Sequence, residues 1–137
     1  MSPDSTTATR IAPAAAADPT ARSYYVDVVG MEWQPTPFPK IECKVLYREP
    51  ETGRSTIMFR MQPGAIVPSH FHAGVEQTFI LEGSLEDHLG AATAGNFVWR
   101  EPGSYHEAHS PNGAIVLGMF DKPNRFDAEV PWYGGKS

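Results

Sequence analysis

The chain is short of the features that announce several common classes of protein. It has one cysteine, Cys43, in 137 residues, so no intrachain disulfide can form. Without a disulfide framework, a reducing cytoplasmic location is the default expectation. Basic residues are scarce: 11 Lys and Arg stand against 16 Asp and Glu, for a net charge of -5. They form no cluster dense enough to displace counterions from a phosphate backbone, and no nucleic acid partner is expected. Long apolar runs are missing too. The longest are strand-sized, well short of the ~20 residues of a spanning helix, so no membrane partner is expected. Helical periodicity does not persist anywhere, and 13 prolines would interrupt it.

What remains is the composition of an ordinary folded domain, 41% hydrophobic and 20% charged, at a length that suits one core. Residues 1–22, rich in Thr, Ala and Pro, read as a flexible tail. The alanines at 14–17 suggest a leader, but Pro13 and Pro19 interrupt them and no bulky apolar core accompanies them. Residues 23–130 then read as one all-β domain. Strand-like runs at 24–29, 40–48, 55–62, 70–72, 77–82, 84–89, 96–100, 105–109 and 114–121 are separated by Pro, Gly, Asn and Asp, as in an antiparallel sandwich or barrel. Residues 131–137, with Gly134 and Gly135, read as a loose C-terminal tail.

One segment carries chemistry. His70 and His72 are two residues apart, so in an extended chain they project to one side while Phe71 points away. The short Ala73-Gly74-Val75 stretch can turn the chain so that Glu76 faces back toward them. His106, after the turn signal Pro102-Gly103, is the candidate donor from a later strand. Three imidazoles, with or without a carboxylate, suit Fe(II), Mn(II), Ni(II) or Zn(II). Thr78 and Ile80 share the face of Glu76, and Phe97 and Trp99 share a face with each other. With that second pair turned inward, the four would line an apolar pocket beside the metal, fitting a small carbonyl or phenolic compound.

Other conspicuous residues take plainer readings. His88 and His109 are expected to be ordinary polar histidines, the latter on the opposite face of its strand from His106. Cys43, Met58, Phe59 and Met61 read as core, Trp33 as a cover for a barrel edge, and Arg100 with Glu101 as an exposed charge pair.

Gly64, His70, His72, Glu76 and Gly83 fit the pattern G-x5-H-x-H-x3-E-x6-G at every fixed position, and the chain therefore resembles the cupins. Gly95, Gly103 and His106 match the second cupin motif, G-x5-P-x-G-x2-H-x3-N. Its proline comes one place late at Pro102, and Ser110 stands in the place of asparagine. The resemblance implies a single-domain cupin of the RmlC-like type, a double-stranded β-helix or jelly-roll-like barrel. Trp33-Gln34-Pro35, residues 37–44, Glu51-Thr52-Gly53 and Gln62-Pro63-Gly64 further resemble the cupins related to acetylacetone-cleaving and dihydroxyacetophenone dioxygenases, and the cupin half of the ChrR anti-sigma factors.

The dioxygenase likeness implies an enzyme with Fe(II) on His70, His72 and His106. Glu76 would be a further ligand, a catalytic base, or a carboxylate behind the ligands. The substrates would be O2 and a small diketone or hydroxy-ketone, cleaved at a carbon–carbon bond. The anti-sigma likeness implies instead a Zn(II)-binding sensor module, and a third class is a cupin isomerase or lyase. Stand-alone cupins resemble one another in pairing through outer sheet faces, which implies a homodimer using Phe71, Phe79 and Leu81.

Overall fold

Strand chemistry dominates the chain, and the computed structural model, which describes residues 17–127, is all strand and loop. Residues 1–16 of the expected N-terminal tail and the whole expected tail at 131–137 lie outside the described residues. Ten strands follow in order: β1 (Gln34–Pro35), β2 (Ile41–Glu49), β3 (Arg54–Met61), β4 (Ala65–Phe71), β5 (Glu76–Asp87), β6 (Gly90–Thr93), β7 (Phe97–Arg100), β8 (Tyr105–Ser110), β9 (Ala114–Phe120) and β10 (Arg125–Phe126). All pairs are antiparallel. Among the described residues no helix is long and apolar enough to cross a membrane.

The strands connect in the order β1-β2-β3-β9-β5-β8-β4-β10, with β6 and β7 also paired to β5. Strand β5 belongs to both layers of this curled sheet. Up to Gly83 it pairs with β9 and β7, and beyond that glycine with β6 and β8. The bend depends on Gly83, whose φ is +74° and whose position would put a Cβ 1.9 Å from the carbonyl oxygen of Gly113. A side chain cannot occupy that gap.

Alternation supplies the core. In β3 and β9 every second residue is buried, and Ile57, Phe59, Val116 and Phe120 meet Ile80 of β5 between the layers. Ile57, Ile80 and Val116 are 0%, 0% and 2% exposed. Each such side chain contributes about 1.5–3 kcal/mol of transfer free energy. Cys43 also lies in this core, where burial pushes its thiol pKa up. Trp33 covers the outer side of β2 and β3, its ring 4.6 Å from Lys44 Nζ and 4.4 Å from the Arg60 guanidinium.

Several strands differ from the sequence reading. The run at 24–29 pairs with nothing in a ladder, and Tyr24, Tyr25 and Val29 are 82%, 96% and 93% exposed. Its β-branched and aromatic composition meets no apolar layer, and composition without burial does not make a strand. Strand β4 begins at Ala65, not His70. Pro68, a residue that a central ladder would exclude, sits at a bulge between Val67 and His70, where no ladder hydrogen bond is required. The runs at 77–82 and 84–89 are one strand bent at Gly83. Met58 faces outward, because parity gives the buried side of β3 to Ile57, Phe59 and Met61.

Candidate metal centre

His70, at the end of β4, is directly paired with His106 of β8, and His72 follows one residue past the end of β4. Directly paired residues of an antiparallel ladder share a face, so the register that buries one imidazole buries the other. The three rings lie 4.7–5.0 Å apart by centroid. Their exposures are 2%, 0% and 6% for His70, His72 and His106. One nitrogen from each comes within 4.8 Å of the others, and the Nε2 atoms of His70 and His106 are 3.2 Å apart.

The other ring nitrogens dictate what those Nε2 atoms are. His70 Nδ1 is 2.6 Å from the carbonyl oxygen of Pro68, and His72 Nδ1 is 3.1 Å from that of Ser104. A carbonyl only accepts, so both Nδ1 atoms carry the proton. The hydroxyl of Ser104 donates to Glu101 O at 2.8 Å and accepts from His72 Nδ1 at 2.8 Å, consistent with this tautomer. His106 Nδ1 is 2.8 Å from Oδ2 of Asp87, a carboxylate. Burial pushes the His70 pKa down to about 4. The His106 pKa is likewise lowered by burial and by the nearby Arg100 charge, against the opposing pull of Asp87. Neutral rings protonated at Nδ1 leave Nε2 as a bare lone pair. Three such lone pairs therefore converge without a donor among them, and His72 Nε2 has no hydrogen-bond partner at all. A divalent cation satisfies that arrangement, and all-imidazole donors suit the borderline first-row ions.

Glu76 opens β5 and is buried, but its carboxylate is not part of the three-nitrogen cluster. Oε1 lies 3.1 Å from His72 Nε2 without the alignment of a hydrogen bond. Thr78 Oγ1 donates to Oε2 at 3.0 Å and Asn124 Nδ2 to Oε1 at 3.2 Å. Burial works to raise the Glu76 pKa and the Asn124 amide works to lower it; the His72 ring adds to the lowering only when Nε2 carries a proton. Beside His70, His106 and Glu76 lies a cavity of about 40 Å³, lined also by Thr78, Asn124 and apolar side chains including Phe38, Phe59, Leu85, Val116 and Phe120. Its volume is that of roughly three water molecules.

The expected pocket is only partly built as read. Thr78 lines the cavity, and Ile80 faces the same interior one pair further along, within the core. Phe97 and Trp99 do not line it: they are 47% and 58% exposed on the outer face of β7. They do share a face, but their pairing with outward Phe79 and Gln77 fixes which one, while Val98 and Arg100 pair with inward Thr78 and Glu76. The apolar wall comes instead from the loop residue Phe38 and from inward residues of β2, β3, β4, β5, β8 and β9. Arg100 is not an exposed partner of Glu101. Its side chain is 13% exposed and its Nη1 sits 2.7 Å from Asp87 Oδ2. His88 is exposed, and His109 lies on the face of β8 opposite His106.

Sequence reasoning missed Asp87, Arg100, Ser104 and Asn124. The departures from the second cupin motif prove harmless to the turn. Gly103 N–H donates to His72 O at 2.7 Å, and Ser110 Oγ donates to Ser84 O at 2.6 Å in the core.

A curled antiparallel double layer with three histidines meeting in its lumen defines a cupin whose centre can hold a divalent metal ion. The chain belongs to the ChrR Cupin-like domain family, which matches residues 21–124. It is 29% identical over 126 residues to the anti-sigma-E factor ChrR of Cereibacter sphaeroides, covering 89% of this chain and 59% of that protein's length. Among solved structures, an acetylacetone dioxygenase from Acinetobacter johnsonii superposes with a TM-score of 0.74 at 24% identity, over 85% of this chain and 88% of the other. The complex of Rhodobacter sphaeroides SigE with the anti-sigma ChrR gives 0.59 at 21% identity, over 68% and 50%. At such identities the superpositions establish the shared fold.

Proposed function

We propose that this chain is a metal-dependent enzyme, a non-haem Fe(II) dioxygenase that cleaves a carbon–carbon bond in a small diketone or hydroxy-ketone. The observation that carries this reading is the convergence of three unprotonated imidazole nitrogens beside an apolar cavity that His70 and His106 line. Fe(II), when bound, supplies Lewis acidity and positions for the substrate oxygens and O2. His70, His72 and His106 provide three donors and leave the remaining sides open toward the cavity. Phe59, Val116 and Phe120 exclude water from the reacting atoms. Glu76 is held beside the donors by Thr78 and Asn124, which fix the orientation of its two oxygens. From there it acts as an oriented carboxyl group that can take a proton from an acidified substrate.

The cavity volume adds a size preference. Of a panel of diketones and hydroxyacetophenones, the smallest members should turn over best. The test is protein reconstituted anaerobically with Fe(II) and then mixed with the panel and oxygen. Substrate-dependent oxygen uptake is expected, falling at least about 100-fold in His106→Ala. Absence of uptake across the whole panel overturns the reading.

A second reading, a Zn(II)-binding sensor module, is favoured by one specific distance. Glu76 Oε1 stands 3.1 Å from His72 Nε2, so a small rotation would bring in a fourth donor and close a tetrahedral site. The likeness to anti-sigma ChrR supports it. Stoichiometric zinc retained through chelator dialysis, with no oxygen uptake by the iron form, would decide for this alternative. Either reading includes a homodimer formed through outer sheet faces, where Phe79, Leu81, Phe97 and Trp99 on one layer and Phe71 on the other are 38–58% exposed.

A further inference from the structure

We propose that Asp87 is a positioning residue of the metal centre: its carboxylate holds His106 as the Nδ1–H tautomer, so that Nε2 faces the other two imidazoles as a lone pair. The inference rests on reading the three histidines as a metal site.

The geometry leaves Asp87 little freedom to do anything else. It closes β5, and its side chain is 4% exposed. Oδ1 accepts from the backbone N–H groups of Leu89 at 2.8 Å and Gly90 at 3.1 Å, capping the turn into β6. Oδ2 accepts from His106 Nδ1 at 2.8 Å and from Arg100 Nη1 at 2.7 Å. Each oxygen thus has two donors, and the carboxylate is anchored from the turn, from β7 and from β8. A group held on three sides is suited to fixing the ring it touches.

His106 differs from the other two donors in this respect. His70 and His72 have main-chain carbonyl acceptors for Nδ1, those of Pro68 and Ser104, which persist whatever side chain is present. The tautomer of His106 hangs on one side chain. If that acceptor is replaced by a donor, the proton is better placed on Nε2. There it would point at His70 Nε2, 3.2 Å away, and form a hydrogen bond that occupies both nitrogens. The ion would then have to displace a proton and a hydrogen bond to enter.

Asp87→Asn makes this exchange with nearly the same shape. Asn can still cap the turn through its oxygen, because asparagine shares the aspartate preference for such turns, while the amide NH2 faces His106 and Arg100. Two measurements on the full chain test the proposal. Titration of metal-free protein with Co(II), followed by its visible absorption, should show affinity about 10–100-fold lower in Asp87→Asn than in wild type. Nitrogen-15 NMR of the metal-free proteins should show His106 protonated at Nδ1 in wild type and at Nε2 in the variant. A merely structural role for Asp87 would not move that proton. Wild-type protein that takes up no Co(II) overturns the metal-centre reading itself. Wild-type protein that binds Co(II), with equal affinity in Asp87→Asn or with an Nε2–H tautomer of His106 in the metal-free state, overturns the role of Asp87 alone. The wild-type spectrum decides the tautomer even if the variant fails to fold.

Discussion

Burial of the His70 imidazole makes acid the natural probe of the centre. Its pKa falls from 6.5 to about 4, so between these values the unfolded chain binds a proton that the folded protein refuses. Stability of the metal-free protein is therefore full above pH 6.5 and declines as the pH falls toward 4, by roughly 3 kcal/mol for this residue alone. A carboxylate acts in a lower window. Asp87, brought down to about 2, lends stability above its ordinary value of 3.8 that is lost as the pH approaches 2. Urea denaturation of metal-free protein at a series of pH values checks both. A stability flat from pH 7 to 4 would contradict the buried neutral state of His70. The three histidines were legible in the sequence because strand alternation and flanking glycines constrain them locally. Asp87, Arg100 and Asn124 were not. What each does depends on a partner 19, 13 or 48 residues away, in His106, Asp87 and Glu76, and no local pattern encodes that registration.

Among the elements, β5 carries the most consequence. It is a member of both layers only because Gly83 takes φ +74° against the Gly113 carbonyl. Gly83→Ala is expected to cost on the order of 2–4 kcal/mol through backbone strain and forced separation of the strands. Equilibrium unfolding measures it, and a cost under about 0.5 kcal/mol, the range of ordinary surface changes, would show that the bend is not held as described. Most strands were readable from strand-like runs between turn residues, β9 above all, an unbroken apolar run whose burial alternates. The failures were physical as well. The run at 24–29 has strand composition without a layer to bury it, and β4 hides a proline inside a bulge. The choice of face for Phe97 and Trp99 was beyond any local rule, since a four-residue strand has the same alternation either way up. Its neighbour β5 settles the matter.

For the molecule as a whole, that outward choice moves two aromatic side chains from the expected pocket to the surface. The proposed homodimer predicts that Phe97→Glu combined with Trp99→Glu shifts sedimentation at micromolar concentration from dimer to monomer. Metal-free stability measured on the monomeric form should change little, because both residues lie outside the core. A wild-type chain that sediments as a monomer would set the dimer aside. The fold class and the three imidazoles could be taken from the sequence, while the assembly of the cavity wall required the packed layers. One feature of that packing ties the scales together. The two carboxylates that flank the histidines, Glu76 and Asp87, are the first and last residues of the same strand. That strand works like a caliper whose jaws are set by the count of residues between them. An extra residue inserted after Gly83 would turn the Asp87 jaw outward while leaving the Glu76 jaw in place, so a lesion that removes no side chain would strip His106 of its acid and spare His72.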